Sequence, residues 1–257
     1  MTSHRLRWGA LAWLLTLQFF VVETVVQLRG EGHSRIDDVI SDLGATTWPG
    51  HQAMNASFVV QAALVLGGAL LLRPVLSSVA GRVATWSFAA AAVGTLLVGV
   101  FPSDTSGAGH GTGAVFYLVG SALGLIALAY ALRPRSELLG STLVLLGLVG
   151  AAATTFFLTG VEVLAEGATE RAAAYVLPIG LAVAGMALWR FGTPGSGTRD
   201  EERAGRRALA AERARQRDEA LEAAARRAED TRRRQDGSDA VDDLDAEDPW
   251  ASSGRAD

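Results

Sequence analysis

The sequence contains neither cysteine nor lysine. The first absence excludes disulfides, thiol nucleophiles and Cys-ligated metals. The second excludes a Schiff-base amine and a Walker-type phosphate loop. All 23 cationic side chains are therefore Arg. Charge is also scarce over long stretches. Residues 1–198 balance their Arg against their acids, residues 199–235 carry a net +3 and residues 236–257 a net −7, which gives the −4 of the whole chain.

Hydrocarbon fills the rest. A bilayer core about 30 Å thick needs roughly 20 apolar residues in a helix. Six segments meet or approach that length: Trp8–Leu28, Met54–Leu72, Val83–Phe101, Gly113–Leu132, Leu138–Thr159 and Ala172–Trp189. Their apolar runs are continuous rather than alternating, which selects helices over a barrel. The first segment follows Arg5 and Arg7 as a signal peptide would. It is longer than a signal core, carries Gln18 and Glu23, and lacks a clear small-x-small cleavage site, so it reads as a retained first helix.

Arg in the short loops sets the expected orientation. Arg5, Arg7, Arg73, Arg82, Arg133, Arg135 and Arg190 fall on one side with the Arg-rich tail. Only Arg29, Arg35 and Arg171 fall on the other. We expect a cell-membrane protein with both termini cytoplasmic. Trp8, Trp86 and Trp189 then sit near inner helix ends and Trp48 near an outer one, as interface anchors.

Under this topology the outer loops, 29–53, 102–112 and 160–171, hold Asp37, Asp38, Asp42, Asp104, Glu162, Glu166, Glu170 and Arg171, with His33, His51 and His110. The inner loops hold one acid, Glu137. The helices repeat the bias. Glu23, Gln27, Asn55, Ser57, Gln61, Thr154, Thr155 and Thr159 all lie in outer halves. Ionisable groups within a span usually face the bundle interior or a wet cavity. We therefore expect an outward-opening polar pocket with Asp42, Asp104, His110, Glu170 and Arg171 at its mouth and Glu23 and Asn55 deeper. The competing reading is that these groups only bond helix to helix, each contributing about 1 kcal/mol or less.

Individual stretches refine this. In "ISDLGATTWPG" (40–50), Ser41 and Asp42 suit a helix cap, or a group over the pocket mouth, and Ser41 is the one modest nucleophile candidate. In "FPSDTSGAGHG" (101–111), Pro102 ends a helix. The alternating glycines lack the strand and lysine of a nucleotide loop, although a following helix N-terminus favours anions. His110 adds an imidazole, the side-chain type best suited to acid–base work near neutral pH. In "GVEVLAEGATERAAAY" (160–175), Glu162, Glu166 and Glu170 form an acidic stripe if the helix continues, with Gly167 as a candidate stop. One reading pairs Arg171 with Asp42 or Asp104 to tie the outer loops together, and the other gives this stretch a part in catalysis. Three histidines would suit a zinc hydrolase, but neither H-x-x-x-H nor H-E-x-x-H occurs, so no metal is assigned and the cofactor is unknown. "GSALG" (120–124) marks close helix packing or a homodimer contact.

Residues 193–235 read as an Arg/Ala/Glu-rich cytoplasmic helix with i, i+4 pairs such as Glu222/Arg226. Residues 236–257 read as a disordered acidic tail, with Trp250 a candidate docking residue.

"ISDLG", "WPG…MN", "FP.D…HG" and "ER", in that order on six spans, resemble the bacterial and archaeal membrane family catalogued as domain of unknown function 998. The matched positions are Ser41, Asp42, Leu43, Gly44, Trp48, Pro49, Asn55, Phe101, Pro102, Asp104, His110, Gly111, Glu170 and Arg171. The resemblance spans about residues 8–190. It implies architecture and a choice of residues, and no reaction.

The expected fold is therefore an all-α polytopic membrane helix bundle: residues 1–192 form six transmembrane helices, followed by the charged helical and disordered tail. The expected function is binding of a lipid headgroup or small polar ligand, either as an enzyme that hydrolyses it with His110 and a carboxylate as acid and base or as a binding protein with the same pocket and no activated nucleophile. Asp42, Asp104, His110 and Glu170 are the catalytic candidates, and Ser41, Asn55, Arg171 and Glu23 the ligand-binding ones. The inner half-helices offer no polar path, which argues against transport. The alternative is a scaffold or sensor whose tail, 199–257, recruits a cytoplasmic protein. Membrane lipids are the expected partners, and nucleic acid is not one.

Overall fold

The computed structural model describes the backbone of residues 3–191 and 196–246. The chain is all-α: no strand occurs among the described residues. Six helical stretches are long and apolar enough to cross a membrane: His4–Gln27, His51–Leu72, Val79–Val100, Gly107–Leu132, Glu137–Thr159 and Glu166–Arg190. The first stretch comprises α1 (Ser3–Leu15) and α2 (Gln18–Gln27). A 3-10 turn at Ile40–Gly44 precedes α3 (His51–Leu72), α4 (Val79–Val100), α5 (Gly107–Leu132) and α6 (Glu137–Thr159). The sixth stretch comprises α7 (Glu166–Ala174) and α8 (Val176–Phe191).

Two of the six spans are broken, which the apolar runs did not foretell. Between α1 and α2 the backbone tightens to i→i−3 bonds: Thr16 N–H donates to Trp13 O at 3.3 Å and Leu17 N–H to Leu14 O at 3.2 Å. Neither Pro nor Gly causes this. Thr16 donates its hydroxyl to the Trp13 carbonyl at 2.6 Å, competing for the helical acceptor. Between α7 and α8 the cause is Pro178, which has no N–H to give the carbonyl four residues earlier. That carbonyl, Ala174 O, instead accepts from the Tyr117 hydroxyl at 2.9 Å. In lipid a freed carbonyl needs such a partner.

The half of the bundle where α1 begins and α8 ends is packed by Trp13, Phe88, Leu125, Leu128, Leu132, Leu143 and Leu188. Trp13 is fully buried, meets Phe88 edge-on at 5.8 Å and lies where a Cβ on Gly68 would fall. Helices α4 and α5 touch backbone to backbone. A Cβ on Gly120 would fall 2.7 Å from Ser87 O, and one on Gly124 2.4 Å from the Phe88 ring. The "GSALG" face is thus consumed within the chain, by close packing of small residues.

The opposite end carries the acidic loops, and two expected loops are shorter than the sequence suggested. Helix α5 starts at Gly107, not Gly113, so His110 is on a helix, its N–H donating to Ser106 O at 2.9 Å. Gly160, at φ 66°, ends α6, so Glu162 lies off any helix while Glu166 and Glu170 open α7. The helix does not continue, so the stripe of three glutamates that depended on it does not form.

The tail is a separate unit. Its helix α9 spans Ser196–Ala246, past the boundary at 235 drawn from charge, and includes an exposed Glu222–Arg226 pair at 3.7 Å. Residues 193–195 and 247–257, Trp250 included, lie outside the described residues.

Candidate functional site

Glu23 lies on α2 with no solvent exposure. A carboxylate at such a depth survives only if paired and fully hydrogen-bonded. Arg171 Nε donates to its Oε1 at 3.2 Å and Arg35 Nη2 at 3.3 Å. The Tyr175 hydroxyl sits 2.8 and 2.7 Å from its two oxygens, and accepts from Arg35 Nη2 at 2.8 Å. The break at α7–α8 places this tyrosine, and Phe20 holds its ring edge-on at 4.8 Å. The expected pairing of Arg171 with Asp42 or Asp104 does not occur. The buried Glu23 takes the cation, because its desolvated charge has more to gain than an exposed acid.

Arg171 does more than pair. Its Nη1 donates to the carbonyls of Arg35 at 2.9 Å, Asp38 at 2.7 Å and Gly167 at 3.2 Å. Its Nη2 lies 3.1 Å from His33 Nε2. Arginine can only donate, so His33 Nε2 must be unprotonated. Burial, then the Arg171 charge, lowers the His33 pKa below its usual 6.5, in agreement. The same loop satisfies the start of α7: Gly167 N–H donates to Asp37 O at 3.2 Å and Ala168 N–H to Ile36 O at 2.8 Å. Glu23, Arg35, Arg171, Tyr175 and His33 thus form a lock tying loop 29–39 to α2 and α7.

A second place is different. A cavity of about 40 Å³ is lined by Ser41, Thr95, His110, Tyr117 and Glu170 among others, over an apolar floor that includes Phe19 and Phe58. Its polar residues come from the 3-10 turn, α4, α5 and α7. Glu170 accepts from the Ile40 N–H, which holds the 3-10 turn against α7. His110 Nδ1 lies 2.9 Å from Phe101 O. A carbonyl only accepts, so Nδ1 carries a proton, and in the neutral ring the lone pair then falls on Nε2. By volume the cavity suits ordered water and the tip of a polar group.

The other candidates line neither the lock nor the cavity, although Asp42 is close enough to His33 and His110 to feel their charge. Exposed Asp104 accepts from Thr46 through the hydroxyl at 2.5 Å and the N–H at 2.8 Å, joining two loops. These bonds, the hydroxyl's first, hold its pKa below the usual carboxylate value. Asn55 Nδ2 donates to Gly44 O at 2.9 Å, while its Oδ1 is buried without a partner. Asp42 is exposed at the surface. Desolvation of its carboxylate raises its pKa, and His33 and then His110 oppose the rise. Ser57 donates to Gln18 Oε1 at 3.1 Å and Gln18 Nε2 to Gln61 Oε1 at 3.4 Å, which binds α2 to α3. Thr155 and Thr159 bond carbonyls of their own helix. Among the described residues no group of three His, Asp or Glu is arranged to hold a metal ion.

Residues 14–195 match the family described as Protein of unknown function (DUF998). The chain belongs to this family. The DUF998 match takes in all six spans but for the start of α1, and both the lock and the cavity, and stops short of α9. No curated protein and no solved structure matches the chain.

Sequence reasoning missed Tyr175, Tyr117 and Thr95, and placed Arg35 in a loop without a role. The available signal was Pro178, which had to break the sixth span and free a carbonyl. A second signal was arithmetic: Glu23 at membrane depth needs a cation, and its half of the chain's topology offers only Arg29, Arg35 and Arg171.

Proposed function

We propose that this DUF998 protein binds the polar end of a membrane lipid, or a small polar ligand, in the cavity beneath Ser41 and hydrolyses it there. The observation that supports this reading is the convergence of Ser41, His110 and Glu170, far apart in sequence, on one small cavity with an apolar floor. His110 Nε2 takes the proton from a cavity water or from the Ser41 hydroxyl. Glu170, held by the Ile40 N–H, supplies the second acid–base group. The apolar floor of Phe19, Phe58, Val98 and Leu118 receives the hydrocarbon next to the reacting group. The volume is that of water and a headgroup's tip, which fits water activation better than enclosure of a whole ligand.

The test uses the purified full chain with vesicles of phosphatidylethanolamine and phosphatidylglycerol, and mass spectrometry of released headgroup and lysolipid. Product should form and should fall by about 10²-fold or more in His110→Ala. Product formation unchanged in His110→Ala, or no product together with unchanged lipid retention in that variant, defeats the reading.

A second reading rests on its own observation. The donors and acceptors around Glu23 are mutually satisfied, as a purely structural clamp requires. On this reading the protein is a scaffold or sensor whose acidic end is stapled for rigidity and whose tail meets cytoplasmic partners. Deleting residues 199–257 tests it: a knockout phenotype reproduced by that deletion moves function from the bundle to the tail.

A further inference from the structure

At the opposite end of the bundle from the lock, a cavity of about 160 Å³ is lined by His4, Arg7, Trp8, Leu11 and Trp189. It lies between the first turns of α1 and the last turn of α8. Its walls contain two tryptophans, one leucine and two basic side chains, and no acid. Arg7 Nε is buried and has no hydrogen-bond partner. A buried donor left unmade costs about 1–3 kcal/mol, more when it is charged, so such an atom usually marks a site that something else completes.

We propose that this cavity binds the phosphate of an anionic membrane lipid. The guanidinium offers a planar fork of N–H donors that matches phosphate oxygens, and His4 adds a further nitrogen. Trp8 is 62% exposed on the outside of the bundle. Indole rings favour the headgroup level of a bilayer, which puts the cavity mouth where lipid phosphates lie. Leu11, one turn deeper, offers apolar wall to the glycerol and the start of the acyl chains. A soluble phosphate would use the arginine but gain nothing from Trp8 and Leu11, so the lipid is the better occupant. This site shares no residue with the cavity beneath Ser41 and does not depend on any activity there.

The delipidated full chain in detergent is titrated with phosphatidylglycerol and read by native mass spectrometry. The expected result is one tightly retained phosphatidylglycerol per chain, weakened about tenfold in Arg7→Gln. Arg5→Gln, an exposed arginine two residues away, should leave it unchanged. Leu11→Phe, which fills the cavity and keeps the charge, should also displace it, and guards against a folding failure of Arg7→Gln. Unaltered retention in both cavity variants overturns the proposal. So does equal loss in Arg5→Gln, which would make the effect a surface-charge one. Equal retention of phosphatidylcholine, or displacement by inorganic phosphate at the same concentration, overturns the anionic lipid as the occupant.

Discussion

The lock around Glu23 and the cavity beneath Ser41 share one helix, since Arg171 serves the first and its neighbour Glu170 the second. They differ in what their polar atoms have left to do. In the lock, the carboxylate receives two guanidinium donors and a phenol, and the arginine that holds it also grips three backbone carbonyls. In the cavity, His110 commits one ring nitrogen to Phe101 O and keeps the other. A saturated network is where substitution damages folding. A network with an uncommitted base is where substitution damages chemistry while sparing the fold. Charge alone does not separate the two, because both lie at the acidic end of the bundle.

The largest effect should come from breaking the lock. Glu23→Ala leaves two arginines without their shared anion, and Arg171→Ala removes one charged donor from the carboxylate and the guanidinium donor from three carbonyls. Each should cost about 3–5 kcal/mol, the usual penalty for removing one partner of a buried pair. Thermal unfolding in detergent, or folded yield, reads it. A loss below about 1 kcal/mol in both would show that water enters the lock and that its saturation is only apparent.

Much of this was legible before the structure, and the rest failed for identifiable reasons. Six apolar stretches separated by Arg-bearing turns can fold in few ways in lipid, so the architecture followed directly. The acidic face followed too, because charge placement is set by loop parity. Pairing did not follow. Arg171 was assigned to Asp42 or Asp104 because those acids were near in topology, whereas burial decides which acid most needs a cation, and burial is a property of the packed chain. Tyr175 was invisible because its position depends on the break that Pro178 makes, and a run of apolar letters conceals a break. His110 was placed in a loop because glycines suggest turns, yet Gly107, Gly109 and Gly111 are carried as the first turns of α5.

A smaller effect tests the seam between the two regions. Tyr117 lines the cavity and also serves the carbonyl that Pro178 frees. Tyr117→Phe keeps the ring and removes the hydroxyl, so Ala174 O loses its partner at a cost of about 1–3 kcal/mol. Adding Pro178→Ala restores an N–H to that carbonyl and should recover most of the loss. Failure of the second change to rescue the first would mean that the hydroxyl matters to the cavity rather than to the helix break.

Acid should loosen the lock through His33. His33 is held neutral, with Nε2 accepting from Arg171, and its pKa lies below the usual 6.5. The unfolded chain therefore binds this proton at a higher pH than the folded one. Stability is full above the ordinary imidazole value and falls as the pH drops from there toward the lowered one. Melting followed from pH 7.5 down should decline through this window, and His33→Gln should flatten the decline. An equal slope in the variant would assign the pH response to another group, such as Asp42.

The smallest effect on folding is expected where the comparison is most exposed to refutation. His110→Ala removes a half-exposed hydrogen bond to Phe101 O, so its cost should be about 1 kcal/mol or less. A change near that of Arg171→Ala would mean that His110 holds α4 to α5 as the lock holds loop 29–39 to α7, and both regions would then be structural. A near-unchanged melting curve keeps them distinct, because a side chain that the fold does not need, held in one tautomer with its second nitrogen unspent, is what a site retained for chemistry should look like.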